Sequence, residues 1–165
     1  VLETMAKPAN IRATAVNNGV IPYFGQHLRV VDHGRVILPV DWRPAHSSMD
    51  FIVLVWPVTK PEYLLVLPPA RWEVLQKNLE GLSLTDQQAA MVERLIGSST
   101  SMRSVDTYGR LALPEEAAKS LGIESEAMLV GRLNKFEVWS PSRFAATLAN
   151  PDAQLIATAL QSIKL

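Results

Sequence analysis

The sequence predicts an α+β fold in which two internal repeats, flanked by helices, share one β-rich, barrel-like core. The first observation is a repeated block: shifted by 75 residues, "VVDHGRVILP" (30–39) falls on "VDTYGRLALP" (105–114). The second is another block, since "EYLLVLPPARW" (62–72) aligns with "NKFEVWSPSRF" (134–144) at a shift of 72. The third is size: neither half is long enough to bury its strands alone, so the two are expected to interlock.

The elements of the first repeat follow in order. Residues 1–22 show no clear periodicity and are predicted to be a flexible extension. The repeat itself, 23–82, offers a strand in "QHLRVV", a turn, a strand in "RVILP" and a weak helix around "VDWRPAH" that Pro44 interrupts. Two apolar strands, "DFIVLVWP" and "YLLVL", and the helix "PPARWEVLQKNLEGL" complete it.

The second repeat, 98–149, has the same order of strands and helices, and its turn is easier to assign. "SMRSV" and "RLALP" are strands joined by "DTYG", which fits a type I turn whose Gly109 adopts the left-handed conformation as a bulge. Asp106 suits the first turn position because its carboxylate can accept a local backbone N–H. Pro114 is placed at the first position of a short helix that Gly122 ends. The strands "AMLVGRL" and "FEVWS" and the helix "SPSRFAATLA" follow.

Two further helices are predicted outside the repeats. Residues 83–97 form a connecting helix with a capping box of Thr85 and Gln88 and with Gly97 as its end. Residues 150–165 form a C-terminal helix with an apolar face. The members of that face are Leu155, Ile156, Ala159, Leu160 and Ile163. Such a face either packs on its own domain or makes a subunit contact, and the sequence leaves both readings open.

The composition bounds the function. At 165 residues, with 48% hydrophobic and 19% charged residues, the chain is expected to form a packed globule. It has no cysteine, which excludes disulfides, thiolate metal sites and cysteine nucleophiles. The longest apolar run, "FIVLVWPV" (51–58), is far shorter than the roughly 20 residues that cross a bilayer. The 16 basic and 16 acidic residues give zero net charge, which alone argues against nucleic acid as a partner.

The repeated blocks resemble the MraZ family. "DTYGRLALP" followed by "LVGRLNKFEVWSPSRF" is similar to the second half of MraZ proteins, and residues 23–144 resemble their whole layout. MraZ belongs to the AbrB-like (SpoVT-AbrB) group of DNA-binding transcription factors, with a doubled Asp-x-x-x-Arg signature. Asp106 and Arg110 satisfy that signature. In the first half Arg35 is present, but Val31 stands at the acidic position and Asp32 lies one place later.

The resemblance implies a β-rich double-split barrel of the swapped-hairpin AbrB type, formed by the two repeats, and a ring of identical subunits. It further implies repression of the division and cell-wall gene cluster through direct repeats in double-stranded DNA upstream of the protein's own gene. A cytoplasmic, nucleoid-associated protein without cofactor, membrane or small-molecule substrate is expected. Because residues 103–119 carry equal numbers of acidic and basic side chains, one protomer is expected to bind weakly and a ring to multiply modest contacts.

Two alternatives stay open. An AbrB-like antitoxin would use its C-terminal helix to neutralise a toxin, although such antitoxins usually dimerise one copy of the repeat rather than carry two. The second alternative is a ring-forming assembly protein that has lost DNA binding. Val31 at the signature acidic position and the zero net charge favour this alternative.

Candidate DNA-binding residues lie at the two predicted hairpins. Arg35 and Arg110 each follow a turn glycine, so their side chains project near a hairpin tip that can enter the major groove. A single arginine there more often only keeps a strand edge soluble, but equivalent placement in both halves and the resemblance favour DNA. Arg29 and Arg103, on the entering strands, are weaker candidates for phosphate contact.

The turns supply the remaining candidates. His33 and Tyr108 occupy equivalent tip positions and either touch sugar or a base edge or merely fill the turn. Asp106 with Gly109, and Asp32 with Gly34, are the predicted turn-stabilising residues. Asp106 is expected to orient Arg110, whereas Asp32, at the second turn position, cannot supply the same cap. A less rigid first hairpin is therefore predicted.

An enzymatic function is not expected. His27, His33 and His46 show neither HExxH nor any paired zinc spacing. The sequence has no glycine-rich phosphate loop and no GxSxG elbow, and "SSTS" (98–101) is interpreted as a linker rather than a nucleophile site. No metal or cofactor is predicted.

Overall fold

A computed structural model describes residues 23–45, 49–56, 63–149 and 151–164. The strands in these ranges are β1 (Gln26–Val30), β2 (Arg35–Ile37), β3 (Asp50–Trp56), β4 (Tyr63–Leu67), β5 (Thr100–Ser104), β6 (Arg110–Ala112), β7 (Glu126–Gly131) and β8 (Phe136–Trp139). The helices are a 3-10 turn (Val40–Trp42), α1 (Pro69–Glu80), α2 (Asp86–Ser99), α3 (Glu115–Ser120), α4 (Pro141–Ala149) and α5 (Ala153–Gln161). The protein is thus mixed α/β, and the predicted extension 1–22 and His46 lie outside the described residues.

The main sheet has six antiparallel strands in the order β1-β7-β8-β4-β3-β5. Strands β2 and β6 pair separately as an antiparallel two-stranded unit, which we call the ribbon. The sheet is symmetric between the halves: if β1 is exchanged with β5, β3 with β7 and β4 with β8, the strand order from one edge becomes the order from the other. Each half therefore lends an edge strand to the other, because β1 pairs with β7 and β5 pairs with β3.

This pairing differs from the closed, barrel-like core that the sequence predicts. Within the described residues β1 and β5 are the two edges of an open sheet, and no strand pairing closes it into a barrel. The predicted tight turns between β1 and β2 and between β5 and β6 do form, but the strands beyond them pair mainly with the other half. The two halves consequently interlock in one core.

The core has two apolar layers because successive side chains of a strand point to opposite faces. In β3, Phe51 and Val53 point under the ribbon, whereas Ile52 and Leu54 point toward the helices. The layer under the ribbon includes Tyr23, Val36, Trp42, Leu111, Leu129 and Phe136. The layer under the helices includes Leu65, Leu67, Ile96, Trp139 and Phe144. The ribbon therefore lies on one face of the sheet and α1, α2 and α4 lie on the other, whereas α3, through Ala118, packs on the ribbon side.

Helix α2 begins as predicted but ends later. Thr85 and Gln88 form the capping box, with the Gln88 backbone N–H donating to Thr85 Oγ1 at 3.3 Å. The helix runs through Gly97 to Ser99, so the prediction that Gly97 ends it is wrong, as is the assignment of 98–101 to a linker. Hydroxyls explain the longer helix: those of Ser99 and Thr100 both donate to the Ile96 carbonyl, which satisfies an acceptor that the last turn leaves open.

Proline positions account for two smaller differences. Pro114 is the N-cap of α3 rather than its first residue, and Gly122, at φ 74°, ends that helix as predicted. In place of the weak helix predicted around "VDWRPAH", the described residues 40–45 form a 3-10 turn, Val40–Trp42. Pro44 disfavours helical geometry at the residue before it, and Arg43 is accordingly extended.

Helix α5 does not pack on the rest of the described chain. Its apolar residues Leu155, Ile156 and Leu160 are 48 to 68% exposed. The described residues therefore do not bear out the reading in which this face packs on its own domain. Among the described residues, no helix combines the length and apolarity that crossing a membrane requires.

Candidate nucleic-acid interface

The turn at residues 106–110 is built by local hydrogen bonds. The Gly109 N–H donates to the Asp106 carbonyl at 3.0 Å, and the Asp106 N–H donates to the Arg110 carbonyl at 2.9 Å. Gly109 has φ 79°, a left-handed conformation that side-chain-bearing residues rarely adopt. This is the hydrogen-bond pattern of a type I turn followed by a glycine bulge. We call it the second turn.

The Asp106 carboxylate binds groups from both halves of the chain. Its Oδ1 accepts the backbone N–H groups of Tyr108 and Arg110, at 3.0 and 2.9 Å. Its Oδ2 accepts Arg110 Nε at 2.7 Å and Arg35 Nη1 at 3.3 Å. One acidic side chain therefore fastens its own turn and holds an arginine from each half.

Partial desolvation pulls the pKa of the Asp106 carboxyl upward, but the bonds donated by Arg110 and Tyr108 outweigh it and hold the pKa below its ordinary value. The Asp106 carboxylate is therefore negatively charged near neutral pH and balances the positive charge of the two arginines.

The first turn, residues 32–35, is shorter by one residue. Asp32 and Arg35 exchange backbone N–H···O bonds of 2.9 and 3.0 Å, and both His33 and Gly34 have positive φ, 48° and 71°. These are the features of a two-residue type I′ turn. Asp32 thus occupies the first turn position, not the second as predicted, because only two residues separate it from Arg35.

The acidic side chain of the first turn reaches a different partner. Among the described residues, the contact of the Asp32 carboxylate is with its neighbour His33, at 3.6 Å from Nε2. Val31, which stands at the signature acidic position, is half-buried and packs against the core beneath the ribbon. Arg35 takes its carboxylate from Asp106 instead.

The ribbon presents one buried and one exposed face. In its register Arg35 lies opposite Ala112, Val36 opposite Leu111 and Ile37 opposite Arg110. Val36 and Leu111 are fully buried, so the arginines of both strands lie on the outward face. An exposed two-stranded ribbon of this kind has the width that the major groove admits.

Each turn is anchored to the opposite strand of the ribbon. The Leu38 N–H donates to the Gly109 carbonyl at 2.9 Å, and the Leu113 N–H donates to the Gly34 carbonyl at 2.8 Å. The two turns therefore flank the ribbon at its two ends, and these two backbone bonds hold them in matching positions.

The structure brings some of the other predicted residues to the ribbon. Arg29, on β1, donates its Nε to the Ile37 carbonyl at 3.0 Å, which places it against the ribbon edge. Tyr108 is 73% exposed at the second turn, with the Arg110 guanidinium 5.2 Å from its ring centre. Arg103 donates its Nε to Ser101 Oγ on its own strand, at 3.2 Å, rather than to a group of the ribbon. His33 is exposed at the first turn.

Sequence reasoning missed Arg43. A Cβ added at Gly109 would overlap the Arg43 guanidinium, which means that this side chain lies directly against the second turn. Arg43 Nε also donates to the Leu38 carbonyl at 3.0 Å. No local pattern signals this placement, because Arg43 follows a 3-10 turn in the other half of the chain.

Folding brings together at the ribbon four arginines from both halves of the sequence. Acidic groups are near as well, since Glu115 and Glu124 line a surface pocket beside the first turn. Arginines on or against the ribbon outnumber the acidic side chains of its turns. The arginines are Arg29, Arg35, Arg43 and Arg110, and the acids are Asp32 and Asp106. Within the described ranges, no group of three or more His, Cys, Asp or Glu residues is placed to hold a metal ion.

The fold and the site together define a mixed α/β protein, mainly antiparallel in its sheet, that displays arginines of both halves on one exposed ribbon. The family model described as "MraZ protein, putative antitoxin-like" matches residues 98–163. A transcriptional regulator MraZ of Hydrogenovibrio crunogenus is 34% identical over 116 residues, covering 69% of this chain and 76% of the relative. One from Marinobacter nauticus is 30% identical over 129 residues, covering 76% and 86%.

A transcriptional regulator MraZ of Legionella pneumophila strain Corby is also 34% identical, over 109 residues that cover 65% of this chain and 71% of the relative. The chain belongs to the MraZ family, and the predicted family resemblance is confirmed.

Proposed function

We propose that this protein is a DNA-binding transcriptional regulator that contacts duplex DNA with the outward face of the ribbon. The observation that carries the proposal is the Asp106 carboxylate, which holds Arg35 and Arg110 of different halves on the same exposed face. The names of its relatives, transcriptional regulators, agree with this role.

The N–H groups of Arg35 and Arg110 that Asp106 does not bind determine what the ribbon can contact in DNA. Arg110 is bound to Asp106 through Nε and Arg35 through Nη1, so each guanidinium keeps further N–H groups that no acceptor among the described residues occupies. A positioned guanidinium can pair with two guanine acceptors or grip a phosphate. Arg29 and Arg43 add charge at the edge of the ribbon, where phosphate contacts fix orientation rather than sequence.

The finer proposal concerns assembly and target. A ring of identical subunits, each with its two halves interlocked by exchanged strands, would set several ribbons on consecutive direct repeats upstream of the protein's own gene and repress the division and cell-wall cluster. Exposed apolar side chains on β1 and α5 support self-association, among them Leu28, Val30 and Leu155. Linked ribbons would raise the effective concentration of modest contacts. Such a regulator works in the cytoplasm, on the nucleoid.

Titration against duplex DNA from upstream of the gene, at several salt concentrations, tests the proposal. The double variant Arg35→Ala/Arg110→Ala is expected to lose affinity and to show a shallower salt dependence, because phosphate contacts release counterions. Arg143→Ala, which removes a cation from α4 on the helix side of the sheet, is the matched control and should bind as the parent does. If the double variant keeps both affinity and salt slope, the ribbon is not the DNA contact.

A further inference from the structure

A second cationic site lies on the helix side of the sheet, away from the ribbon. A cavity of about 190 Å³ opens between α1 and the strands beneath it. Three cations line it: Arg71 from α1, and Arg132 and Lys135 from the turn between β7 and β8. The rest of the wall is largely apolar and includes Trp56, Leu65 and Leu75. Since Leu65 belongs to the apolar layer under the helices, this cavity and the ribbon are on opposite faces.

Among the described residues, the three cations of the cavity have one carboxylate beside them, that of Glu137. Glu137 accepts Arg132 Nη1 on Oε1 at 3.0 Å, and its Oε2 accepts the Trp139 indole N–H at 2.7 Å. Each oxygen of that carboxylate therefore already accepts one donor, and its single charge faces three cations. Arg71 Nε is buried, and among the described residues it has no hydrogen-bond partner. Because this nitrogen is enclosed by protein, a ligand in the cavity would meet the terminal amino groups of the Arg71 guanidinium rather than Nε.

The surroundings of Lys135 also carry more positive than negative charge. Its ammonium donates to Asn134 Oδ1 at 3.1 Å, a neutral acceptor. Burial first, and then the positive charges of Arg132 and Arg71, lower the pKa of Lys135, and Glu137 only partly opposes them. The three cations are thus close enough to repel one another.

We propose that this cavity binds a small organic anion whose charged group meets Arg71, Arg132 and Lys135 and whose compact apolar body lies against Trp56 and Leu65. Guanidinium forks recognise carboxylate and phosphate oxygens in pairs, and an ammonium adds a point charge. The volume is below the roughly 300 to 1,000 Å³ of drug-sized sites, which limits the body to about one ring. The site stands on the opposite face from the ribbon and does not depend on the proposed DNA contact.

Calorimetric titration of the full chain with defined probes tests the site. Sodium phenylacetate and phenyl phosphate supply the two anionic groups on one ring, and 2-phenylethanol is the uncharged control. We expect saturable one-to-one binding of at least one anion, about tenfold or more tighter than that of the alcohol. The tighter of the two anions identifies the charged group. Failure of both to bind overturns the proposal, and inorganic phosphate binding as tightly as phenyl phosphate overturns the role of the apolar wall.

Variants locate the binding. Arg71→Gln and Lys135→Gln are each expected to weaken the better probe by about tenfold, because each removes one charge-assisted contact. Arg143→Gln, the counterpart of Arg71 in the other half, should leave it unchanged. Binding should also shift the NMR signal of the Trp56 indole N–H. Lys135 lies in a turn, so its variant tests the site even if Arg71→Gln unfolds α1. Unchanged affinity in a folded Lys135→Gln or Arg71→Gln would place the ligand elsewhere.

Discussion

The two turns of the ribbon have matching backbones and unequal side chains. Each turn carbonyl accepts an N–H from the opposite strand, Gly109 from Leu38 and Gly34 from Leu113. The Asp106 carboxylate takes four hydrogen bonds, whereas the Asp32 carboxylate contacts His33. The shift of one residue in the first half therefore removes its local cap without freeing Arg35, since cross-half pairing carries that arginine to the acid of the other turn.

The largest expected effect comes from the buried face of the ribbon. Leu111→Ala should lower the free energy of unfolding by about 2 to 5 kcal/mol, because it opens a cavity beneath β6. Val36→Ala, in the facing strand, removes fewer buried carbons and should cost less. Urea denaturation of both variants measures the difference. If the two cost the same, the halves contribute equally to anchoring the ribbon.

Replacing the glycine of each turn by alanine should give the next largest difference in stability between the two turns. Gly109→Ala meets both a left-handed backbone and the Arg43 side chain, so it should cost about 2 to 3 kcal/mol. Gly34→Ala meets only the backbone strain, with open space around its Cβ, and should cost about 1 kcal/mol. Thermal and urea unfolding give both values. Equal losses would mean that Arg43 does not pack on the second turn in solution.

How far the sequence predicts this structure depends on how local each feature is. The second turn follows from Asp106 and Gly109, because both act within five residues. The bond between Asp106 and Arg35 depends on the pairing of β2 with β6. Strand periodicity predicts that a segment is a strand but not which strand it pairs with. Arg43 reaches the second turn from the other half for the same reason. The longer end of α2 was missed because hydroxyl groups, not Gly97, complete it.

The pH dependence of stability should distinguish Asp106→Asn from the parent. A carboxyl whose pKa is lowered on folding stabilises the protein above its unfolded pKa of about 3.9 and loses that contribution as the pH falls through the folded value. The stability difference between parent and Asp106→Asn should therefore be constant near pH 7 and shrink below about pH 4. Unfolding curves from pH 2.5 upward measure it. A difference that grows on acidification would contradict the cause given for the lowered pKa.

The smallest expected effect is that of Asp32→Asn. The side chain is exposed, and asparagine is well tolerated beside a type I′ turn, so the free energy of unfolding should change by less than about 0.5 kcal/mol. Urea denaturation at pH 7 measures it. A loss equal to that of Asp106→Asn would show that the two turns depend equally on their acids.

DNA binding by the two aspartate variants tests the central claim, that Asp106 positions the arginines of both halves. Removing any acidic charge should by itself favour binding to phosphate. We predict that Asp106→Asn nevertheless weakens binding to the upstream duplex by about tenfold, because Arg35 and Arg110 lose their common anchor. Asp32→Asn should bind as well as the parent or slightly better. If both variants bind more tightly to the same extent, Asp106 is only a nearby negative charge and the claim is wrong.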